Sequence, residues 1–80
     1  MLNLRIVSPE EIAYNGEAES VKVPGLLGSF EILTNHAPII SALQKGVVEY
    51  VNSDGRHQLN INGGFVEVQK NHVSLCVEVI

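Results

Sequence analysis

The stretch His72-Val73-Ser74-Leu75-Cys76-Val77-Glu78-Val79 decides the fold class. Val73, Leu75, Val77 and Val79 alternate with Ser74, Cys76 and Glu78. Four branched side chains therefore share one face, at the period of two that a half-buried strand requires. This stretch closes the one long segment free of glycine and proline, Phe65 to Ile80. Elsewhere Gly and Pro cut the chain into runs of nine residues or fewer. Such runs are shorter than an average helix of roughly 11 to 12 residues and suit strands of about 5 to 6.

Working outward, the same period recurs. Leu2, Leu4 and Ile6 alternate with Asn3 and Arg5; Leu59 and Ile61 alternate with Gln58, Asn60 and Asn62; Val66 and Val68 alternate with Phe65, Glu67 and Gln69. Val47 to Val51 reads as a further strand of mixed facing. Asn15-Gly16, Asp54-Gly55 and Gln69-Lys70-Asn71 carry hairpin signals. In Glu17 to Val23 the parity slips, which predicts a bulge near Ser20 or Val21. Short strands separated by turns at regular intervals predict an all-β fold, one domain spanning residues 1–80, built as a small β-sandwich of about ten short strands.

Composition narrows the function. The chain has 80 residues and a net charge of −4, with only five basic residues, Arg5, Lys22, Lys45, Arg56 and Lys70, spread along it. No basic cluster is available to neutralise phosphates, and four aromatics without Trp make no base-stacking platform, so no nucleic-acid partner is expected. No apolar run approaches the roughly 20 residues of a membrane-spanning helix. The opening residues lack the basic start and apolar stretch of a signal peptide. A single cysteine, Cys76, forms no internal disulfide and suits a reducing compartment.

No reactive constellation emerges. His36, His57 and His72 are too far apart in sequence for metal-ligand spacing, and Cys76 alone makes no zinc site. His72 and Cys76 in one strand lie about 13 Å apart, beyond the reach of a nucleophile–base pair. Glu17 and Glu19 would point the same way about 7 Å apart, but nothing near them suggests a sugar cleft. Gly25-Leu26-Leu27-Gly28-Ser29 lacks the Gly-Lys-Ser/Thr of a phosphate loop. Gly63-Gly64 lacks the spacing of a dinucleotide fingerprint and predicts a bulge or close backbone approach instead. No cofactor, metal or catalytic residue is predicted. The odd feature is Pro24 to Pro38, with Leu26 and Leu27 in a glycine-flanked loop followed by Phe30 and Ile32. These leucines either plug an open end of the sandwich or form an exposed loop that meets a partner protein.

At this loop a resemblance becomes specific. Val23-Pro24-Gly25-Leu26-Leu27-Gly28-Ser29-Phe30-Glu31-Ile32-Leu33-Thr34-Asn35-His36-Ala37-Pro38-Ile39 resembles the signature of the epsilon subunit of F-type ATP synthase. Leu4-Arg5-Ile6-Val7-Ser8-Pro9-Glu10 resembles the family's opening strand. Ile61-Asn62-Gly63-Gly64-Phe65-Val66-Glu67-Val68 and Asn71-His72-Val73 resemble its closing hairpin. The resemblance implies a ten-stranded sandwich at the foot of the rotor's central stalk, on the cytoplasmic face of the plasma membrane. It also implies a non-catalytic part linking the gamma subunit to the c-ring of a proton- or sodium-translocating enzyme, monomeric when isolated and not inserted in the membrane. By position, Leu26, Leu27, Ser29, Phe30 and Glu31 would meet the c-ring, and Ser8, His36 and Ser41 would face gamma. Where the family reads Gly-Glu-x-Gly, this chain reads Gly28-Ser29-Phe30-Glu31, which displaces the acidic group by two positions. The resemblance also implies that most bacterial relatives continue into a two-helix hairpin associated with inhibition. The sequence here ends at Ile80, and the expectation is a chain without inhibitory helices, either naturally short or cut from a longer one.

The alternative from another class is a lipoyl- or biotinyl-type carrier domain modified at Lys70, which sits between Gln69 and Asn71 at a turn but lacks the acidic residue or Met expected beside it. A generic β-sandwich interaction module is the third reading.

Overall fold

The computed structural model describes residues 1–80 and consists of eight strands without a helix: β1 (Leu2–Val7), β2 (Ile12–Ala18), β3 (Ser20–Gly25), β4 (Gly28–Leu33), β5 (Ile39–Leu43), β6 (Gly46–Asn52), β7 (Gly55–Gln69) and β8 (His72–Val79). Hydrogen bonding links them in the order β2-β1-β8-β7-β5-β3-β4, with β6 joining β3 to β7. The path folds into two layers, β2-β1-β8-β7-β5 and β4-β3-β6-β7. β7 belongs to both. Its first part, to Ile61, pairs with β6, and its second, from Gly64, pairs with β5 and β8. The β1–β8 pair is parallel and the other pairs are antiparallel.

Between the layers lie fifteen buried apolar side chains, among them Leu2, Leu4, Ile6, Val21, Val23, Ile32, Val48, Ile61, Val66, Val68, Val73 and Leu75, and no polar side chain is buried with them. Alternation was therefore a sound guide to the core face of β1, β7 and β8. Val79 is the exception. It shares parity with Val73, Leu75 and Val77, yet it lies at the strand end, opposite Ile61 beyond a register shift, and is exposed.

Three local expectations are corrected. The strand count is eight rather than about ten, and Gln58–Asn62 and Phe65–Gln69, which read as two strands, are one strand bent at Gly63-Gly64. The bend needs glycine at 64, where φ is +148° and an added Cβ would sit 2.2 Å from the Cys76 carbonyl oxygen. Asn15-Gly16 is not a turn: it lies inside β2, opposite Arg5 and Leu4. Glycine lets the Tyr14 ring lie over the strand there: a Cβ would come to 2.8 Å from Tyr14 Oη and the ring would have to shift. The β1–β2 turn is Ser8-Pro9-Glu10-Glu11, closed by Ser8 N–H to the Glu11 carbonyl at 2.9 Å. Finally, the slip in parity is not a bulge at Ser20 or Val21. β2 ends at the buried Ala18, β3 begins at Ser20, and Glu19 between them donates its N–H to the Val51 carbonyl at 2.7 Å. One residue outside both strands lets Tyr14, Gly16 and Ala18 face inward in β2 and odd positions in β3.

Candidate functional site

The β3–β4 hairpin turns through Leu26-Leu27 between Gly25 and Gly28. Leu26 is 59% exposed and Leu27 completely so. The leucines are not a plug; they project into solvent. The backbone beneath them is nonetheless held fast. Leu26 N–H donates to the Ala42 carbonyl (3.3 Å), Gln44 N–H to the Pro24 carbonyl (2.9 Å), and Gln44 Nε2 to the Gly25 carbonyl (3.0 Å), while Pro24 and Gly25 are buried. An apolar tip carried on a fixed backbone loses little conformational entropy on docking, the condition under which exposed apolar area converts well into affinity.

The five residues expected at the c-ring divide by strand parity. Leu26 and Leu27 form the tip. Ser29 and Glu31 are exposed on the outer face of the edge strand β4, with Glu31 opposite Lys22. Phe30 points inward, half-buried against the core. It lines a groove of about 480 Å³ with Leu26, Leu27, Ile40 and Ser41. Ser41, expected on the gamma side, thus shares a groove with three of the residues expected at the ring.

The other two gamma-side residues lie apart. Ser8 closes the β1–β2 turn, its Oγ donating to the Glu11 carbonyl (3.2 Å) and accepting from Glu11 N–H (3.3 Å). A shallow groove of about 380 Å³ beside it is lined by Val7, Pro9, Cys76, Val77 and Glu78. Register places Ser8 at the end of the sandwich that carries the leucine tip, since Val7 neighbours Cys76, Cys76 faces Phe65, Gly64 faces Leu43 and Leu43 faces Gly25. His36 is at the opposite end, the length of β4 away, roughly 17 Å at 3.3 Å per residue. Its Nδ1 donates to the Ala37 carbonyl (2.7 Å), which leaves Nε2 free. The loop is fixed by a reciprocal amide pair. Asn71 Oδ1 accepts from Asn35 N–H (2.6 Å), and Asn71 Nδ2 donates to Asn35 Oδ1 (3.2 Å). Both asparagines have positive φ, which their short polar side chains tolerate. Lys70, at the tip of the same turn, is exposed.

The sequence reading missed a seam that joins β2 to β6 and β7. Tyr14 and Tyr50 pack with ring centroids 4.6 Å apart, and His57 stacks on Tyr50 at 5.0 Å. Tyr14 Oη donates to the Glu17 carbonyl (2.7 Å) and accepts from Asn52 Nδ2 (3.2 Å), and Asn52 Oδ1 lies 2.9 Å from His57 Nε2. Burial, and secondarily the nearby Tyr14, pushes the Tyr50 phenol above its ordinary 10.0. On the outer face of the second layer, the Arg56 guanidinium hydrogen-bonded to Glu49, with help from Gln58, holds that carboxyl below 4.5. No three His, Cys, Asp or Glu side chains converge as a metal-holding group. β8 is continuous from His72 through Cys76, so these two cannot form a nucleophile pair.

The family model of the ATP synthase delta/epsilon chain β-sandwich domain matches residues 1–80. The chain belongs to the ATP synthase delta/epsilon family. An ATP synthase epsilon chain from Leptospira borgpetersenii serovar Hardjo-bovis (strain JB197) is 43% identical over 77 residues, which cover 96% of this chain and 61% of the relative. The cyanelle epsilon chain of Cyanophora paradoxa is 40% identical over 95% of this chain and 58% of its own length. The sequence thus spans about three-fifths of the relatives it matches. In fold it is similar to a chain of the Euglena gracilis mitochondrial ATP synthase OSCP/F1/c-ring structure, with a TM-score of 0.88 at 22% identity over 95% of this chain and 49% of that one. A chain of the Tetrahymena thermophila ATP synthase central stalk and c-ring gives 0.82 at 14% identity, over 96% of this chain and 63% of that one.

Proposed function

We propose that this chain is the sandwich part of an epsilon subunit, a non-catalytic component of the rotor that couples the gamma subunit to the c-ring of a membrane-bound F-type ATP synthase, at its cytoplasmic face. The observation that carries the reading is the family match over residues 1–80 together with the leucine tip, an apolar element that folding leaves in solvent on a fixed backbone. Leu26 and Leu27 meet the c-ring, with Phe30, Ser29 and Glu31 around them. Ser8, Ser41 and His36 lie toward gamma, and the groove that Ser41 shares with Phe30 supports a gamma contact adjoining the c-ring contact at Ser41 alone. The 80-residue chain itself neither binds nor hydrolyses ATP and does not block hydrolysis.

The test uses single cysteines in a Cys76→Ser background, one at Leu27 and one at His36, in the assembled complex. The expected crosslinks are to the c-ring from Leu27→Cys and to gamma from His36→Cys. Capture of the same neighbour by both would overturn the assignment of faces. Capture of neither by either would overturn the rotor role. Added to epsilon-depleted soluble ATPase, the chain should leave the hydrolysis rate unchanged.

A further inference from the structure

Seven asparagines occur in the chain, and two of them precede glycine, at Asn15-Gly16 and Asn62-Gly63. In such a dipeptide the second residue has no side chain to keep its backbone nitrogen away from the asparagine Cγ. The fold treats the two dipeptides differently. Asn15 and Gly16 are held in β2 opposite Arg5 and Leu4, and the Tyr14 ring lies over Gly16. Asn62 is the one residue of β7 paired with no other strand. Pairing with β6 ends at Ile61, pairing with β5 starts at Gly64, and β8 pairs with Ile61 and next with Gly63. Asn62 is thus the extra residue of a bulge, exposed, at the corner where β7 leaves one layer for the other. Around Gly63 there is room: the nearest atom to an added Cβ would be the Leu43 carbonyl oxygen, at 3.4 Å. One hydrogen bond holds the Asn62 side chain, from its Nδ2 to Glu78 Oε1 at 3.0 Å.

We infer that Asn62-Gly63 is a self-modification site, at which the asparagine closes onto the next backbone nitrogen and reopens as aspartate or isoaspartate. The Gly63 nitrogen bonds to Asn62 Cγ, the Cγ–Nδ2 bond breaks, and Nδ2 leaves as ammonia with the former Gly63 amide proton. The cyclic imide then takes up one water. Cleavage of the new Cγ–N bond leaves aspartate. Cleavage of the original peptide C–N bond leaves isoaspartate, with the chain running through Cβ and Cγ. No oxidant or reductant takes part. Closure requires the Asn62 backbone to rotate out of its extended form, and Asn62 has no pairing of its own to break. At Asn15 the same rotation pulls β2 away from β1. Both products alter the corner. The donor to Glu78 becomes a second carboxylate facing it, in a chain whose net charge is already −4. Isoaspartate also adds a backbone methylene two residues before Gly64, where β7 lies so close to β8 that a Cβ would sit 2.2 Å from the Cys76 carbonyl oxygen. None of this rests on the rotor reading.

The experiment incubates the chain at mildly alkaline pH, folded and in urea, and follows tryptic peptides by mass. Asn62 falls in the peptide His57–Lys70 and Asn15 in Ile6–Lys22, and fragment ions separate Asn62 from Asn60. In the folded chain Asn62 should gain the mass of an amide-to-acid exchange at least about 10-fold faster than Asn15. The same peptide should accept methyl groups from an isoaspartyl methyltransferase. In urea the two rates should converge, since the ladder that separates them is gone. Equal rates in the folded chain, faster conversion at Asn15, or no conversion at Asn62 while the unfolded chain converts would overturn the site. Asn62→Asp, made directly, should lower the urea midpoint, and adding Glu78→Gln should restore it by returning a donor to the pair. An unchanged midpoint in Asn62→Asp, or no recovery with Glu78→Gln, would refute the carboxylate clash at the corner.

Discussion

Replacing Gly64 by alanine places a methyl group where β7 has no room for one. The new Cβ would lie 2.2 Å from the Cys76 carbonyl oxygen, 2.8 Å from Val77 Cα and 3.0 Å from Val77 Cγ1. Two of these are backbone atoms of β8, which is gripped on its other side by β1 and so has nowhere to retreat. The φ of +148° adds strain that an L side chain does not relieve. Overpacking costs about 1 to 3 kcal/mol, and a strained backbone conformation about the same again. The sum, about 4 kcal/mol, compares with about 4 to 12 kcal/mol for a whole domain at 0.05 to 0.15 kcal/mol per residue. At about 4 to 8 °C per kcal/mol the thermal midpoint should fall by about 16 to 32 °C. Gly63 is the control, because the nearest atom to a Cβ there is the Leu43 carbonyl oxygen at 3.4 Å. Gly63, at φ +158°, shares the backbone strain but not the overpacking, so Gly63→Ala should cost about half as much. Urea titration and thermal melts followed by far-UV circular dichroism measure both. A Gly64→Ala variant within about 1 kcal/mol of the parent, or no worse than Gly63→Ala, would refute the reasoning.

Three shorter predictions follow from the same geometry. Because burial raises the Tyr50 phenol above 10.0, the folded state favours its neutral form; stability should hold below about pH 10 and decline as pH rises through the higher folded-state value, and Tyr50→Phe should remove that component in urea titrations run from about pH 9 to 11. Asn71→Ala deletes both amide bonds to Asn35 and should cost about 1 to 3 kcal/mol, with faster amide exchange at Asn35 and His36 as the local readout. Leu27→Ser, at a fully exposed position, should leave the urea midpoint within about 0.5 kcal/mol of the parent while weakening association with the c-ring.

What the sequence made legible was set by parity. Leu2, Leu4 and Ile6, or Val73, Leu75 and Val77, declare one buried face without help from other strands. Gly63-Gly64 declared a disturbance, since two adjacent glycines in a strand serve little else. Asn15-Gly16 misled because the dipeptide that favours a tight hairpin also supplies a glycine for a tyrosine to lie on, and the tyrosine two residues earlier was the overlooked signal. The order of strands left no local trace. Whether Val7 sits beside Cys76 depends on pairing between segments about seventy residues apart in sequence, so neither that parallel pair nor the Tyr14–Tyr50–His57 seam could be read from any window of the chain. The exposed leucines were visible as a motif, but whether they turned in or out depended on Pro24, Gly25 and Gln44 tying the turn to the end of β5.

That tie also bears on how two neighbours are held at once. Ala42 accepts the hydrogen bond that fixes the Leu26 backbone, and it is paired with Phe65 of β7. Ser41, next to it, lines the groove that the tip shares. The leucine tip and Ser41 therefore meet on one strand, β5, with no flexible segment between them. On the rotor reading, a tangential load entering at Leu26 and Leu27 passes through a short path of backbone hydrogen bonds into β5 and on into β7, to which β5 is paired from Ile39 to Leu43. β7 runs through both layers, so neither layer can shear past the other without breaking the strand they share. A small sandwich built from two separate sheets would rely on side-chain packing alone to resist that shear. Here the covalent chain resists it, which is a physical reason for a continuous fifteen-residue strand in a domain of this size.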